Sequence, residues 1–256
     1  MSEDIFNYRD KVFKDLNTTE SEVSRSLLTG YRTGIRYMDY LEKSSYELPD
    51  YQKKFELSRE LINRDIGFVL IRPDMRHIDD NIISLLEKNN LNIIECTERT
   101  VDYSQYKKIY EVDLFEKLER YPRMLFTIPS RTLVYLAGNS KIVLFEKSLS
   151  TDEHSSDLVV RKLKGVEGKP QENTIRGDIV FNECLRLQKD EKLVDPFGMY
   201  NRFVKFNKKD LFHYGFQEEL KILRYAGQGV HIPNKEEAMR DLAALLSLEE
   251  LENLGR

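Results

Sequence analysis

Apolar residues recur at helical spacing over the first quarter of the chain. Over 19–43 they return every three or four residues, behind a Thr19 and Glu22 pair typical of a capping box. Pro49 interrupts this pattern, and a shorter helical stretch follows it. We therefore predict that residues 1–65 form a helical extension that packs against the rest of the chain or against another copy of it.

From residue 66 onward, short apolar runs alternate with amphipathic stretches. Such runs are typical of buried strands when turn-forming residues bound them, as Arg72-Pro73-Asp74 bounds the first run. The pair Gly138-Asn139 lies between two later runs and indicates a hairpin. The predicted elements, in order, are a strand over 68–71, a helix over 78–88, a strand over 91–101, a helix capped by Asp102 over 103–110, strands over 131–137 and 141–147, and a helix over 155–164.

This order predicts an α/β (α+β) chain of ferredoxin-like type, a βαββαβ sandwich with an antiparallel sheet. Residues 174–178 are expected to form a tight polar loop, and the apolar residues within 179–185 a strand. Further along, 200–206 alternate like an edge strand, and Asn234 with Glu237 predicts the cap of a last helix.

The composition narrows the class of protein without indicating a function. Of the 256 residues, 40% are hydrophobic and 33% are charged, which supplies a core and a well-solvated surface. The net charge of −4 argues against general nucleic-acid binding, and we find no apolar stretch of the ~18 residues that a membrane helix needs. Cys96 and Cys184 match no disulfide or metal pattern, and the acidic first residues do not resemble a signal peptide, so we expect a cytoplasmic protein.

Basic residues around one late histidine are the candidates for chemistry. Arg161 closes a predicted helix, Arg176 lies in the polar loop, and His231 comes just before the last helix. The planar fork of arginine suits phosphate oxygens, and a neutral imidazole is a competent nucleophile at phosphorus. Taken singly, a loop arginine is more often a solvated charge and a lone histidine is more often structural. The prediction of a phosphate site therefore depends on the two arginines and the histidine occurring together.

Four segments of the chain resemble the nucleoside diphosphate kinase family. Thr174-Ile175-Arg176-Gly177-Asp178 is identical to the family's Thr-Ile-Arg-Gly-Asp motif. The other three are 68–74, similar to the family's opening strand with apolar-x-x-Ile-Lys-Pro-Asp, 161–165, similar to its Arg-x-x-x-Gly, and His231 with the helix after it, similar to the phosphate-accepting histidine and its helix. The resemblance covers 66–178 and 227–246.

The resemblance implies an enzyme that moves the γ-phosphate of ATP or another nucleoside triphosphate to His231, and then to a nucleoside diphosphate. Tyr110 would donate to the phosphate or to the histidine, and Asp241 would orient the imidazole as a family glutamate does. Because aspartate is one methylene shorter, we expect that contact to pass through a water molecule. The implied nucleotide-binding residues are Arg72, Arg161, Arg176 and Gln228 with a base-stacking ring from Phe115 or Tyr121, and Mg²⁺ would be held through nucleotide phosphates and not by a metal site of the chain.

Several positions depart from the family and motivate other functions. Arg72 stands where the family has lysine, Gln228 where it has asparagine, and Ile232 where it has glycine. Glu167 stands at the position of a phosphate-binding threonine, where its charge would repel phosphate. A nucleotide-binding regulatory protein with an altered cleft is therefore the alternative hypothesis, and an α/β interaction domain without a nucleotide site is the third.

The chain also departs from the family in the length of one interval. Arg176 and His231 are 55 positions apart, much farther than in the family. We therefore predict a kinase-like domain over 66–256 that carries an insertion over 179–226. In the family this loop packs at a threefold axis, which a folded insertion would obstruct. We expect a homo-oligomer smaller than the family's hexamer, with a dimer as the prediction.

Overall fold

The computed structural model describes residues 47–111, 139–148, 152–166, 170–183, 186 and 229–255. Helices and strands are numbered here in chain order within these ranges. They are α1 (Tyr51–Asn63), β1 (Gly67–Ile71), a 3-10 helix (Pro73–Ile78), α2 (Asp79–Lys88), β2 (Leu91–Thr100), α3 (Tyr103–Ile109), β3 (Asn139–Lys147), α4 (Ser155–Leu158) with a π-helical turn directly after it (Val159–Leu163), a second π-helical turn (Ile175–Val180), β4 (Val230–His231), α5 (Lys235–Leu245) and α6 (Leu248–Leu254).

The four described strands form one antiparallel sheet in the order β2-β3-β1-β4. Strand β3 pairs with β2 on one side and with β1 on the other, where Val69 lies opposite Val143. The short strand β4 pairs with the end of β1, so that Leu70 lies opposite His231. A mixed helix and strand fold with an antiparallel sheet is thereby confirmed, and its first strand fixes the position of the late histidine.

Apolar side chains cover both faces of this sheet, because successive residues of a strand point to opposite sides. On one face Val69, Ile71 and Val143 join a buried cluster with residues of α2 and of both π-helical turns. The other face carries Phe68 and Leu70, both fully buried, on the side where α5 contacts β1. Helices α1 and α3 in turn pack against α5. The sheet is therefore enclosed by helices on the side where His231 lies.

Helix α1 belongs to the region predicted as a helical extension, and it packs directly on the last two helices. Leu61 and Ile62 are buried. At the start of α1, the Tyr51 hydroxyl donates to the backbone carbonyl of Arg240 at 3.4 Å. Lys53 forms an exposed ion pair with Glu252 of α6. The described part of the extension therefore packs against α5 and α6.

Of the three predicted helix caps, that at Thr19 lies outside the described residues and the other two are confirmed in detail. Asp102 accepts the backbone N–H of Gln105 at 2.9 Å, and the Gln105 side chain accepts the N–H of Asp102 in return. Asn234 and Glu237 form the same reciprocal pair at the start of α5. Each box satisfies backbone N–H groups that the first turn of a helix leaves without partners. The predicted strands over 68–71 and 91–101 are also confirmed, with ends shifted by one residue.

The predictions for 174–185 are wrong. Residues 174–178 do not form a loop, because Ile175–Val180 is a π-helical turn whose first residue, Thr174, caps it by accepting the N–H of Gly177. The predicted strand over 179–185 is helical as far as it is described, to Glu183. Ile175 and Val180 are both buried in the apolar cluster, five positions apart. That spacing matches the i→i+5 hydrogen bonding of a π-helix, so both side chains face the cluster when the segment is helical.

Several predicted elements lie outside the described residues. They are the helix over 19–43, the strand over 131–137 and the edge strand over 200–206, together with most of the predicted insertion over 179–226. The predicted hairpin about Gly138-Asn139 is wrong, because Asn139 begins β3 and both sides of β3 are paired with β2 and β1. Among the residues that are described, no helix is both long enough and apolar enough to cross a membrane.

Candidate functional site

His231 and Asp241 form a buried hydrogen-bonded pair. The Nε2 atom of His231 lies 2.7 Å from Oδ2 of Asp241. The side chain of His231 is 7% exposed and that of Asp241 is fully enclosed. The structure therefore brings together two of the predicted catalytic residues, ten positions apart in sequence.

Two short elements place this pair. The pairing of β4 with Leu70 puts the histidine on the same face as Phe68, and the Asn234 cap starts α5 three residues later. Asp241 then falls on the buried side of α5, next to the buried Leu242. The expected water-mediated contact is wrong: the carboxylate binds the imidazole directly, since α5 contacts β1, the strand with which β4 pairs.

Burial dominates the electrostatics of the Asp241 carboxyl. Its enclosure raises the pKa of Asp241, and the hydrogen bonds and charges of His231 and Arg240 oppose this without cancelling it. A buried carboxylate is costly unless donors surround it. Asp241 has a donor for each oxygen, since Oδ2 contacts His231 and Oδ1 accepts from Nε of Arg240 at 3.1 Å.

Aromatic rings hold the imidazole of His231 on two sides. The ring of Tyr110, at the end of α3, meets it edge-on with centroids 5.1 Å apart. The ring of Phe68 lies 6.3 Å away at a tilted angle. Tyr106 packs against Tyr110 in turn, with centroids 4.9 Å apart. The structure therefore brings the third predicted catalytic residue, Tyr110, into contact with the histidine.

Arg176 and Arg72, both predicted to bind phosphate, flank the strand that carries His231. The guanidinium of Arg176 donates to the carbonyl of Val230 at 3.3 Å. Arg72 directly follows β1, is 4% exposed, and donates its backbone N–H to the carbonyl of Gly229 at 2.6 Å. The guanidinium of Arg176 and the backbone of Arg72 are thus in contact with the residues immediately before the histidine.

The two arginine motifs of the sequence are interlocked in space. Gly165, which ends the first motif, has φ +73°, and a Cβ there would lie 2.4 Å from Oγ1 of Thr174 in the second motif. The backbone N–H of Arg176 donates to the carbonyl of Lys164 at 2.9 Å. Only glycine combines this backbone conformation with such a close approach. The close contact between the two motifs therefore holds Arg176 beside β4.

The structure does not bring Arg161 to the other predicted residues. Its side chain is 59% exposed, and its guanidinium forms a two-pronged ion pair with Glu153 at 2.7 and 2.6 Å. This hydrogen bond raises the pKa of Arg161 and lowers that of Glu153. Among the described residues, Glu153 is the one ion-pair partner of Arg161.

Lys164 and Arg240 also lie at the site. The sequence placed Lys164 in the basic stretch that closes the helix before the polar loop but assigned it no role, and it did not single out Arg240. The Lys164 ammonium donates to the carbonyl of Ile232, the residue after the histidine, at 2.8 Å. Arg240 binds Asp241 and also donates to the carbonyl of Ile109 at 3.0 Å. Lys164 lies three residues after Arg161 in a basic stretch, and Arg240 directly precedes Asp241. These positions are the only signal that the sequence offers for either residue.

Other residues predicted for nucleotide binding lie outside the described part of the chain. They are Gln228, Phe115 and Tyr121, together with Glu167, which the comparison with the family placed beside phosphate.

A second histidine, His77, is held by a similar set of groups elsewhere in the fold. Its Nε2 atom contacts Oε1 of Glu183, and Arg186 binds the same carboxylate at 2.5 and 2.8 Å. The side chain of His77 is 34% exposed. The hydrogen bond from Arg186 lowers the pKa of Glu183, and the contact with His77 acts in the same direction. This group provides an internal control for the buried pair.

Comparisons with known proteins give no family assignment. No protein-family model matches the chain, and no curated protein shows significant similarity to it.

Proposed function

We propose that this chain is a phosphotransferase resembling nucleoside diphosphate kinase, in which His231 accepts the γ-phosphate of a nucleoside triphosphate and passes it to a nucleoside diphosphate. The observation that carries this proposal is the direct bond between Nε2 of His231 and buried Asp241. It rests equally on the resemblance of the four sequence segments, three of which lie around this pair.

The bond to Asp241 makes one ring nitrogen of His231 a nucleophile. An ionised carboxylate accepts a hydrogen bond, so it holds the proton of the neutral imidazole on Nε2. The lone pair is then on Nδ1. In the proposed first step Nδ1 attacks the γ-phosphorus, the bond from that phosphorus to the bridging oxygen breaks, and the nucleoside diphosphate leaves with the bonding electrons. In the second step an oxygen of another nucleoside diphosphate attacks the phosphohistidine and regenerates the neutral ring.

Charge near His231 supports the binding of a polyphosphate. The side chains of Arg176 and Lys164 donate to the carbonyls of Val230 and Ile232, on both sides of the histidine, and Arg72 is joined to Gly229 through its backbone N–H. Arginine forks and ammonium groups bind phosphate through charge-assisted hydrogen bonds, each worth roughly 1.5–3 kcal/mol. The contact of the Tyr110 ring with the imidazole supports the proposal that its hydroxyl donates to the phosphate.

Magnesium would reach this site with the nucleotide. Among the described residues no three His, Cys, Asp or Glu side chains are grouped to hold a metal ion. The nearest carboxylate, Asp241, is bonded through both oxygens. In this proposal Mg²⁺ is carried by the nucleotide and would neutralise charge during transfer.

The strand order supports a ferredoxin-like fold of this kind. In a βαββαβ sandwich the third strand lies between the first and second, and the fourth strand pairs with the first. The described order β2-β3-β1-β4, with every pair antiparallel, has this arrangement. The crossovers then place the end of β1, the second π-helical turn and β4 next to one another.

The direct test is exchange of phosphate between two nucleotides. The full-length chain is incubated with ATP, Mg²⁺ and GDP, and the formation of GTP is measured beside nucleotide binding by calorimetry. We expect GTP from the unaltered chain and from His77→Ala, and none from His231→Ala with its fold intact. Formation of GTP by His231→Ala would contradict the proposal. ATP binding without transfer would instead support the nucleotide-binding regulatory protein, and the absence of both would support an interaction domain.

A further inference from the structure

We infer that Arg240 is a positioning residue for His231, and that its guanidinium holds Asp241 and the end of the helix bearing Tyr110 in one arrangement around the imidazole. The inference deepens the proposed function and rests on it, since the group that it positions is the proposed nucleophile.

One guanidinium joins two separate elements at this point. Nε of Arg240 donates to Oδ1 of Asp241 at 3.1 Å, and a terminal nitrogen donates to the carbonyl of Ile109 at 3.0 Å. Ile109 is the last residue of α3, and Tyr110 follows it as the helix cap. A planar fork with several fixed donors can make both bonds at once, whereas an ammonium acts as a single point charge.

The two oxygens of Asp241 show why the bond from Arg240 is needed to hold the carboxylate in place. Oδ2 binds His231, so Oδ1 would be a buried acceptor without a charged donor if Arg240 were absent. A carboxylate held at one oxygen only can rotate about its side chain and release the imidazole. The bond from Arg240 fixes that rotation and therefore fixes the direction of the bond to Nε2.

Within the described part of the chain, the charged and titratable groups around Asp241 come from three elements. They are His231 of β4, Arg240 of α5 itself, and Tyr51 of α1, whose pKa is raised to about 12 first by burial and in smaller part by Asp241. Tyr51 also fixes the backbone of Arg240 through its hydroxyl. Arg240 is therefore the cation that opposes the effect of burial on the Asp241 carboxyl from the side away from the histidine.

A purely structural role for Arg240 would give a different result from a positioning role. Loss of a buried ion-pair partner destabilises a fold in either case. Only a positioning role also changes which nitrogen of His231 carries the proton. The informative variants are Arg240→Gln and Arg240→Lys, with Arg186→Gln as the matched control, because Arg186 binds the carboxylate that holds His77.

Two measurements on the full chain test the inference. Long-range ¹H–¹⁵N NMR reports the tautomer of each histidine, and rapid quench with labelled ATP reports the rate of phosphorylation across pH. In the unaltered chain we expect the Nε2–H form at His231. In Arg240→Gln we expect a mixture of tautomers at His231 and a phosphorylation rate about 10- to 100-fold lower. We also expect the acid limb of the pH–rate profile to move to higher pH. The tautomer ratio and the phosphorylation rate of Arg240→Lys should lie between those of the unaltered chain and of Arg240→Gln. Arg186→Gln should change the tautomer of His77 and leave His231 and the rate unchanged.

The outcomes separate the inference from the function on which it rests. If the unaltered chain transfers no phosphate, the proposed function fails, while the tautomer of His231 in Arg240→Gln still reports positioning. If Arg240→Gln keeps the Nε2–H form and the unaltered pH profile and only unfolds more easily, Arg240 is structural and the inference is overturned.

Discussion

His231 and His77 each bind a carboxylate through Nε2, and an arginine binds that carboxylate in turn. Around His231 the histidine and the carboxylate are both enclosed, whereas around His77 the carboxylate of Glu183 is 9% exposed but its two partners reach solvent. The side chains of His231 and Asp241 are 7% and 0% exposed, whereas that of His77 is 34% exposed. The two carboxylates respond in opposite directions. Burial raises the pKa of Asp241, and the hydrogen bond from Arg186 lowers the pKa of Glu183.

The comparison shows that a histidine, a carboxylate and an arginine can make the same contacts in two environments, with opposite effects on the pKa of the carboxyl. Glu183 is buried, but the hydrogen bonds from its partly exposed partners, Arg186 first, outweigh burial and lower its pKa. At Asp241 burial outweighs the donors at its two oxygens, and an ionised carboxylate there is costly. A costly buried charge next to a histidine is characteristic of functional sites, where pKa values are perturbed for a task. The enclosed group is therefore the one to which we assign chemistry.

Removing the charge from each carboxylate should separate the two groups most strongly. In Asp241→Asn the side chain no longer fixes the proton on Nε2 of His231, so we expect phosphorylation to fall by about 100-fold or more. In Glu183→Gln we expect a rate within about twofold of the unaltered chain. Rapid quench with labelled ATP measures both. Equal losses in the two variants would show that burial does not distinguish the groups.

The arginines allow a second comparison, between a partly buried and an exposed position. Arg176 contacts the strand of His231, whereas Arg161 is paired with Glu153 at the surface. We expect Arg176→Ala to weaken nucleotide binding or transfer by about 10- to 100-fold, because a charge-assisted bond to phosphate is lost. Arg176→Lys should restore only part of this.

Arg161→Ala serves as the matched control for that prediction. Because its guanidinium is already held by an exposed carboxylate, we expect a loss of less than about threefold. Calorimetric titration with ATP and the exchange rate measure each variant. A larger effect from Arg161 than from Arg176 would contradict the arrangement of the phosphate site.

The smallest expected effects are on stability, and they differ in sign with pH. Asp241 has a folded pKa above its usual 3.8, so its contribution to stability is present at low pH and is lost as pH rises through that folded pKa. Glu183 has a folded pKa below its usual 4.5, so its contribution is present at neutral pH and is lost as pH falls through that folded pKa.

Urea unfolding of the unaltered chain and of both carboxylate variants tests these signs. As pH rises from about 3 to 7, Asp241→Asn should gain stability relative to the unaltered chain. Over the same range Glu183→Gln should lose stability relative to it. Slopes of the same sign would mean that the two carboxylates experience similar surroundings.

The sequence predicted well those features that local patterns control. The caps at Asp102 and Asn234 follow from side chains that bond backbone groups three residues away, so no knowledge of the rest of the fold is needed. The apolar run of β1 likewise indicates a buried strand by itself. Resemblance to a family then pointed to His231, Tyr110 and Asp241, which the structure brings together.

The features that the sequence did not predict depend on distant contacts. The π-helical turn that contains Arg176 forms because Ile175 and Val180 join the same apolar cluster, which local composition does not reveal. Strand β4 has two residues, too few for any pattern, and exists because β1 pairs with it. Arg240 reaches Ile109 across 131 positions of sequence, and no spacing rule relates the two.

The central claim is that His231, and not His77, receives phosphate. The most direct measurement is to incubate the full chain with γ-labelled ATP and Mg²⁺, keep the protein at alkaline pH, and map the phosphate by mass spectrometry under conditions that preserve phosphohistidine. We expect one base-stable, acid-labile phosphate, located on His231, that persists in His77→Ala. Phosphate on His77 or on any other residue, or no phosphorylated protein at all, would contradict the account.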